Sequence, residues 1–364
     1  MKISSITSYL HSHQLGLVRV TTDDGAEGWG QVSPYIADQS ITVLHDQLSS
    51  WFLGKDPWDL PAIVDECVRA EYKFYGTTLF RALCGIDTAV WDLLARSVGL
   101  PVYKLLGGAV RTRIAVYGSS MRRDITPPDE AERLQALVDS GTFTAFKIRI
   151  GEVMGRDGDA AAGRTESIIP MIRTALGPDV TLRADANGGY STAEAIRVGR
   201  ILEEYGYYHY EEPCPYPQLE NTAAVAAALD IPVAGGEQDN SLEQFHRMIE
   251  GRVVDIVQPD IGYLGGITRA RKVAGMAEAA GIWCTPHCAN TSLLQIFTLH
   301  LAASSPSVTQ AQEWSIENVD WVRDLYDPLP PVQGGFVELG TEPGWGVDLN
   351  PDYLKASQRR TSAL

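Results

Sequence analysis

Six residues able to take part in acid–base or metal chemistry recur along the chain at nearly equal intervals: Asp185, Glu211, Glu237, Asp260, His287 and Glu313. The steps between them are 26, 26, 23, 27 and 26 residues. Each closes a short strand-like run, such as TLRAD, YYHYE, IPVAGGE or IWCTPH. Asp185, Glu211 and Glu237 offer carboxylates alone, a donor set that suits a hard divalent cation, Mg²⁺ above Zn²⁺. Taken singly, each acid also fits the opening of a helix; three in one register favour the metal site. Glu211 and Glu212 are adjacent, so an alternating strand turns only one of them into such a site. Lys147 and Arg149 stand two apart on another strand-like run and so share a face. Beside a metal they would hold a carboxylate and its developing charge; the plainer alternative is a salt-bridge layer in the protein core. Asp260 and His287 end neighbouring strands, an arrangement in which the carboxylate orients the imidazole as a general base. Asn187 serves equally as a substrate contact or as part of the Asn187-Gly188-Gly189 turn.

The elements needed to position this series are predicted from the intervals. Each gap holds a turn and a helix-like segment, STAEAIRVGRILEEYG or SLEQFHRMIEG for example. Strand, turn and helix repeated in this way imply a parallel sheet, and enough units close into a (β/α)8-type TIM barrel with its site at the C-terminal strand ends. The first barrel strand is expected at 114–120 and the second at 145–151. Upstream, KISSITSYL and GLVRVTTDDGAEGWGQV read as strands with a hairpin at Asp24-Gly25. Helices are expected over 38–53, 61–72 and 78–99, the last with Leu79, Leu83, Ile86, Val90, Leu93 and Leu94 on one face. The fold class is therefore α/β, a barrel carrying an additional α+β unit. We expect an N-terminal unit at 1–113, a catalytic barrel at 114–325, and an irregular C-terminal segment at 326–364.

Composition narrows the alternatives. The chain has 364 residues, 45% hydrophobic and 21% charged, with a formal net charge of −16. That balance offers no basic stripe for nucleic acid. No apolar run approaches the length of a membrane span and the N-terminus lacks a signal-peptide layout, so a cytoplasmic protein is expected. Five scattered cysteines fit reduced thiols better than disulfides. His11-Ser12-His13 is the one motif compatible with a zinc amidohydrolase, a remote alternative because a hairpin rather than barrel units follows it. A loop that touches substrate, or two surface histidines, are its other readings.

The stretches GIDTAVWDLLARSVGLPVYKLLGG, FKIRIG, RADANGGYS, YEEPCP, GGEQ, QPDIGYLGGITRA, TPH and EPGWGVDL, in that order, resemble the enolase superfamily and its mandelate racemase-like branch over nearly the whole chain. The resemblance implies a capping domain, built from the N-terminal unit and the C-terminal segment, that closes over the barrel mouth. It assigns the metal to Glu211 rather than Glu212, with Asp185 and Glu237. It also assigns Glu313 to the substrate carboxylate, and it implies a symmetric homo-oligomer. Where the family often has two lysines, this chain has Lys147 and Arg149, and arginine is a poor proton acceptor. The reaction implied is Mg²⁺-dependent removal of a proton α to a carboxylate through a metal-stabilised enediolate, a recognised pattern of this superfamily. With His287 as the one competent base, the expected outcome is dehydration of a sugar acid to a 2-keto-3-deoxy acid. A racemase or epimerase, a lactone cycloisomerase, and a non-catalytic binding barrel are the alternatives. Specificity is expected from loops at 11–30 and 51–58.

Overall fold

The structure, a computed structural model, describes residues 1–317 and 319–364. The chain begins as an antiparallel meander of β1 (Ile3–Ser12), β2 (Leu15–Thr22) and β3 (Glu27–Gln31). The helix Thr77–Ser97 lies against it, and all six apolar positions expected on one face are buried. Its burial extends further, because the meander covers one side while barrel segments Ile261–Leu264 and Ile267–Ala280 cover the other. The approach to β3 is so close that a Cβ at Gly28 would lie 2.2 Å from the Leu93 backbone nitrogen, and one at Gly30 2.3 Å from Thr88 Oγ1. Glycine in the GAEGWG run thus permits the packing of helix on strand.

Two buried acids of this helix join units instead of doing chemistry. Asp92 accepts from the backbone of Trp29 at 2.8 Å and of Trp345 at 2.9 Å, tying β3 to the C-terminal segment. Asp87 accepts from Thr268 N at 3.2 Å, satisfying a donor at the start of a barrel helix whose own N-cap is a glycine. The helix expected over 38–53 is interrupted. Helical turns at Ala37–Val43 and Ser49–Phe52 flank a wider π turn at Leu44–Leu48. That turn carries His45 inward, within 2.8 Å of Ser8 Oγ and of Ser362 Oγ.

The barrel consists of eight parallel strands: β4 (Arg113–Ser119), β5 (Ala145–Arg149), β6 (Thr181–Asp185), β7 (His209–Glu211), β8 (Val233–Gly235), β9 (Ile256–Val257), β10 (Trp283–Cys284) and β11 (Gln312–Ser315). Neighbours pair in chain order from β4 to β10, and β11 returns to β4. The sheet therefore curls fully round, with one seam between β10 and β11 unladdered. Helices cross over after each of the first seven strands, from Pro127–Asp139 to Leu293–Ser304. After β11 the chain instead runs as a tail. Its strand Phe336–Glu338 pairs antiparallel with the start of β4, and Gln358–Ala363 adds a fourth strand to the meander beside β1. Among the described residues no helix is long and apolar enough to cross a membrane, and all five cysteines are free and buried.

Candidate active site

Parallel pairing sets the site's first layer. Arg149 on β5 is in register with Asp185 on β6, and Asp185 with Glu211 on β7. Because side chains alternate along a strand, residues in register at the strand ends project together into the mouth. Ligand atoms of Asp185, Glu211 and Glu237 all lie within 4.8 Å of one another, and all three residues are buried. This all-oxygen cluster fits a divalent cation, and Glu237 Oε2 is buried without a hydrogen-bond partner, an orphan acceptor of the kind a metal satisfies. Burial, then the charge of Glu211, pushes the Glu237 carboxyl up from its usual range. Glu212 turns away with φ +41° and takes no part in the cluster, although Asn187 Nδ2 reaches its Oε2 at 3.4 Å.

The cations stand on one flank. Lys147 Nζ, fully buried, lies 2.5 Å from Glu211 Oε1, 2.8 Å from Glu313 Oε1 and 3.5 Å from Asp185 Oδ2. Burial alone would lower the Lys147 ammonium, but Glu211 and Glu313 outweigh it and hold the proton on. Arg149 pairs with Asp185, donates through Nε to Ser120 O at 3.0 Å, and through Nη1 to Asn187 Oδ1 at 3.0 Å. Asp185 Oδ1 accepts from Asn187 N at 2.8 Å, so the turn that follows β6 is built on the carboxylate itself. Asn187 thus forms the turn and also faces the mouth.

On the other flank, His287 Nδ1 lies 2.7 Å from Asp260 Oδ2, and a parallel bridge joins the two residues' backbones. Asp260 Oδ1 accepts from Tyr263 N at 2.9 Å, capping the helical turn Ile261–Leu264. One carboxylate is therefore fixed by its own helix while it fixes the imidazole. With Nδ1 donating to Asp260, Nε2 points inward, 3.4 Å from Glu237 Oε2 and 3.7 Å from Glu313 Oε2. Burial pulls His287 down, yet Glu237, Glu313 and Asp260 together push it up to about 10. Glu313 bridges the flanks: besides Lys147, it accepts from Ser119 Oγ at 2.7 Å and from Cys288 N at 3.0 Å. Burial raises this carboxyl, but Lys147 and His287 prevail and hold it at about 2.

The fold thus brings Asp185, Glu211, Glu237, Lys147, Arg149, Asp260, His287, Glu313 and Asn187 together at one mouth. It leaves His11 and His13 elsewhere. The His11 ring packs against Tyr353 of the C-terminal segment, 4.6 Å between centroids, and the His13 carbonyl accepts from Ala37 N at 2.8 Å. Among the described residues, neither ring makes a hydrogen bond or ion pair with the mouth's acids. A tight turn between β1 and β2 sets the His11 ring beside the tail.

Other mouth residues were not anticipated. Gln258 donates from Nε2 to Glu211 Oε2 at 2.9 Å, and it lies two residues before Asp260, a spacing that would have marked it. Ser119, at the end of β4, belongs to the same strand-end count. Arg123, which donates to Asn187 Oδ1 at 3.0 Å and to Gly151 O at 2.9 Å, sits in a loop without pattern. Tyr35, just after the meander, has φ +77°, and burial followed by the charge of Asp260 raises its hydroxyl. Nothing local in the sequence marks it.

Two family models match the chain: the mandelate racemase / muconate lactonizing enzyme N-terminal domain over residues 2–107, and the enolase C-terminal domain-like family over 129–353. A D-galactonate dehydratase of Ralstonia nicotianae is 34% identical over 365 residues, which is 96% of this chain and 92% of that protein. A crystal structure from Roseobacter denitrificans, provisionally titled a racemase, is 49% identical, covers 100% of both chains and superposes with a TM-score of 0.97. A mandelate racemase/muconate lactonizing protein from Paracoccus denitrificans, complexed with magnesium, is 30% identical with a TM-score of 0.89, covering 100% of this chain and 99% of that one.

Proposed function

The chain belongs to the mandelate racemase/muconate lactonizing enzyme branch of the enolase superfamily, and from that premise we propose that it is a hydro-lyase that dehydrates a sugar acid to a 2-keto-3-deoxy acid. The observation that carries this reading is the asymmetry of the mouth. One flank presents an imidazole, His287 oriented by Asp260, and the other presents only cations, Lys147 and Arg149.

Asp185, Glu211 and Glu237 would hold Mg²⁺, which when bound supplies positive charge beside the substrate carboxylate. Lys147 and Arg149 add to that charge as the α-carbon loses its proton. His287 takes this proton at Nε2, the nitrogen left free by Asp260. With Glu237 committed to a cation, the largest upward pull on His287 is offset, so the imidazole can begin neutral. The resulting imidazolium then gives the same proton to the β-hydroxyl, which leaves as water. The enol that remains tautomerises to the 2-keto acid.

Arg149 is unsuited to deprotonate the opposite face, and Lys147 keeps the Glu313 carboxylate beside its ammonium at 2.8 Å, which favours elimination over racemisation. The kinship with D-galactonate dehydratases supports the same outcome. We read residues 1–113 and 326–364 as one cap and 114–325 as the catalytic domain. Kinship with a 49% identical protein provisionally named a racemase motivates the second reading, racemisation or epimerisation.

One experiment separates the two: a library of mono- and diacid sugars, D-galactonate included, incubated with Mg²⁺ in D₂O. Dehydration appears as 2-keto acid. Inversion at the α-carbon without loss of water would establish the second reading and remove the first.

A further inference from the structure

Beside the carboxylate cluster opens a cavity of about 400 Å³ lined by Val153, Met154, Asn187, Gly188, Glu212, Tyr216 and Gln238. Its floor adjoins the site through hydrogen bonds: Gln238 Nε2 donates to Glu237 Oε1 at 2.9 Å, and Asn187 Oδ1 accepts from Arg149 Nη1 at 3.0 Å. Its wall has a different character. Val153, Met154 and Tyr216 are 55%, 49% and 43% exposed, three large side chains left half in water around one opening.

The loop that carries two of them is held in place. Met154 N donates to Asn187 O at 3.1 Å, Asp157 N to Gly189 O at 2.9 Å, and Glu152 N to Gly158 O at 3.1 Å. Met154, Arg156 and Asp157 adopt φ of +52°, +50° and +71°. Left-handed backbone at three non-glycine residues is costly, and it occurs where a segment must present particular side chains. A Cβ at Gly188 would fall 2.8 Å from Met154 Sδ, so the glycine admits the methionine over the turn after β6. The amide groups of the floor are engaged, while Glu212 Oε1, below the wall, is buried without a hydrogen-bond partner. Asn187 Oδ1 accepts from Arg123 and Arg149, and Gln238 Nε2 donates to Glu237 at 2.9 Å. Apart from the Tyr216 hydroxyl, the wall offers a substrate hydroxyl nothing to bond.

We propose that this cavity receives the end of the substrate remote from the reacting carboxylate, and that this end is apolar: a hydroxy acid ending in a methyl or comparable hydrocarbon surface, not a chain hydroxylated throughout. The proposal rests on the reading of the mouth as a carboxylate site. It places a determinant of specificity in the loop after β5, outside the two segments, 11–30 and 51–58, expected to carry it. A hydroxyl buried against such a wall loses its bonds to water without replacement, whereas a methyl there gains contact.

The test uses matched probes, D-galactonate and D-gluconate, each with its 6-deoxy analogue, on the full chain with Mg²⁺. Both kcat/KM and the Kd from calorimetry are measured for wild type, Met154→Leu and Met154→Gln. In wild type the 6-deoxy member should be favoured by about 10- to 100-fold. Met154→Leu should retain the preference and Met154→Gln should bring it near unity. Dehydration without such a preference, or a preference that Met154→Gln leaves intact, overturns the proposal and leaves the dehydratase reading standing. Preferential binding of the deoxy acids without dehydration supports the proposal and removes the dehydratase reading. Failure to bind any of the four acids removes both.

Discussion

Two buried histidines of this protein are displaced in opposite directions. His287 lies at the barrel mouth among Asp260, Glu237 and Glu313, and is pushed up to about 10. His45 lies where the meander meets the C-terminal strand, between the hydroxyls of Ser8 and Ser362, and burial followed by the charge of Arg360 lowers it to about 4. Burial disfavours the imidazolium at both; the neighbours decide the result. Carboxylates supply His287 with a reason to take up a proton. Hydroxyls supply His45 with partners for a neutral ring, one nitrogen donating and one accepting. The first arrangement suits a group that moves protons, and the second suits a fixed join between chain segments.

The substitution expected to have the largest effect removes the strongest charge acting on His287. Glu237→Gln should weaken Mg²⁺ binding in calorimetry and depress turnover by more than the roughly 10²–10⁴-fold that loss of a general base produces. Chelation of wild type should do likewise, and added Mg²⁺ should restore activity. Full turnover by metal-free protein would remove the mechanism.

His287→Asn comes next. Magnesium affinity should survive, while dehydration falls about 10²–10⁴-fold and α-deuteration of recovered substrate falls with it. Near wild-type rates would place the base elsewhere, with Lys147 the next candidate. Asp260→Asn should cost less, about 10- to 100-fold, since the imidazole remains but loses its orienting partner. An unchanged rate would show that Asp260 serves only its helix cap.

Arg149→Lys keeps a charge on the opposite flank but loses the guanidinium's several donors. We expect turnover to fall about tenfold, with α-proton exchange from the second face appearing because an amine can accept a proton. Wild-type enzyme that already inverts its substrate's α-carbon would contradict the assignment of this flank to charge alone.

The smallest kinetic effect belongs to the other histidine. His45→Gln should leave kcat unchanged and lower stability by about 1 kcal/mol, the scale of one hydrogen bond. A histidine held near 4 in the folded state and near 6.5 when unfolded destabilises the fold as pH drops from about 6.5 to 4, because the unfolded chain binds the proton first. His209 and His300 are likewise lowered to about 4. The variant's stability should therefore fall with acidity less steeply than wild type's, without becoming independent of it. An equally steep fall in denaturation followed across that range would refute the role given to His45.

The barrel and most of its mouth were legible in the sequence because a repeated strand–turn–helix unit places every strand end at one level. A period near 26 residues sufficed to bring Asp185, Glu211, Glu237, Asp260, His287 and Glu313 together, and the period of two put Lys147 beside Arg149. The buried helix Thr77–Ser97 was equally plain from its spacing. The unread features depend on contacts distant in the chain. Nothing local says that His45 meets Ser362, a contact that needs the wider turn at Leu44–Leu48. His11, suggestive in its pairing with His13, packs against Tyr353, a contact that only the packing of the C-terminal segment decides. Arg123, Tyr35 and the wall of Val153, Met154 and Tyr216 come from irregular loops, which have no period from which a side chain's direction follows. Sequence by itself determined which groups line up along the strands, since regular hydrogen bonding repeats the same geometry at every unit. Tertiary structure decided what faces them across the mouth and which histidine would be charged, because both depend on groups that loops and long-range packing bring near.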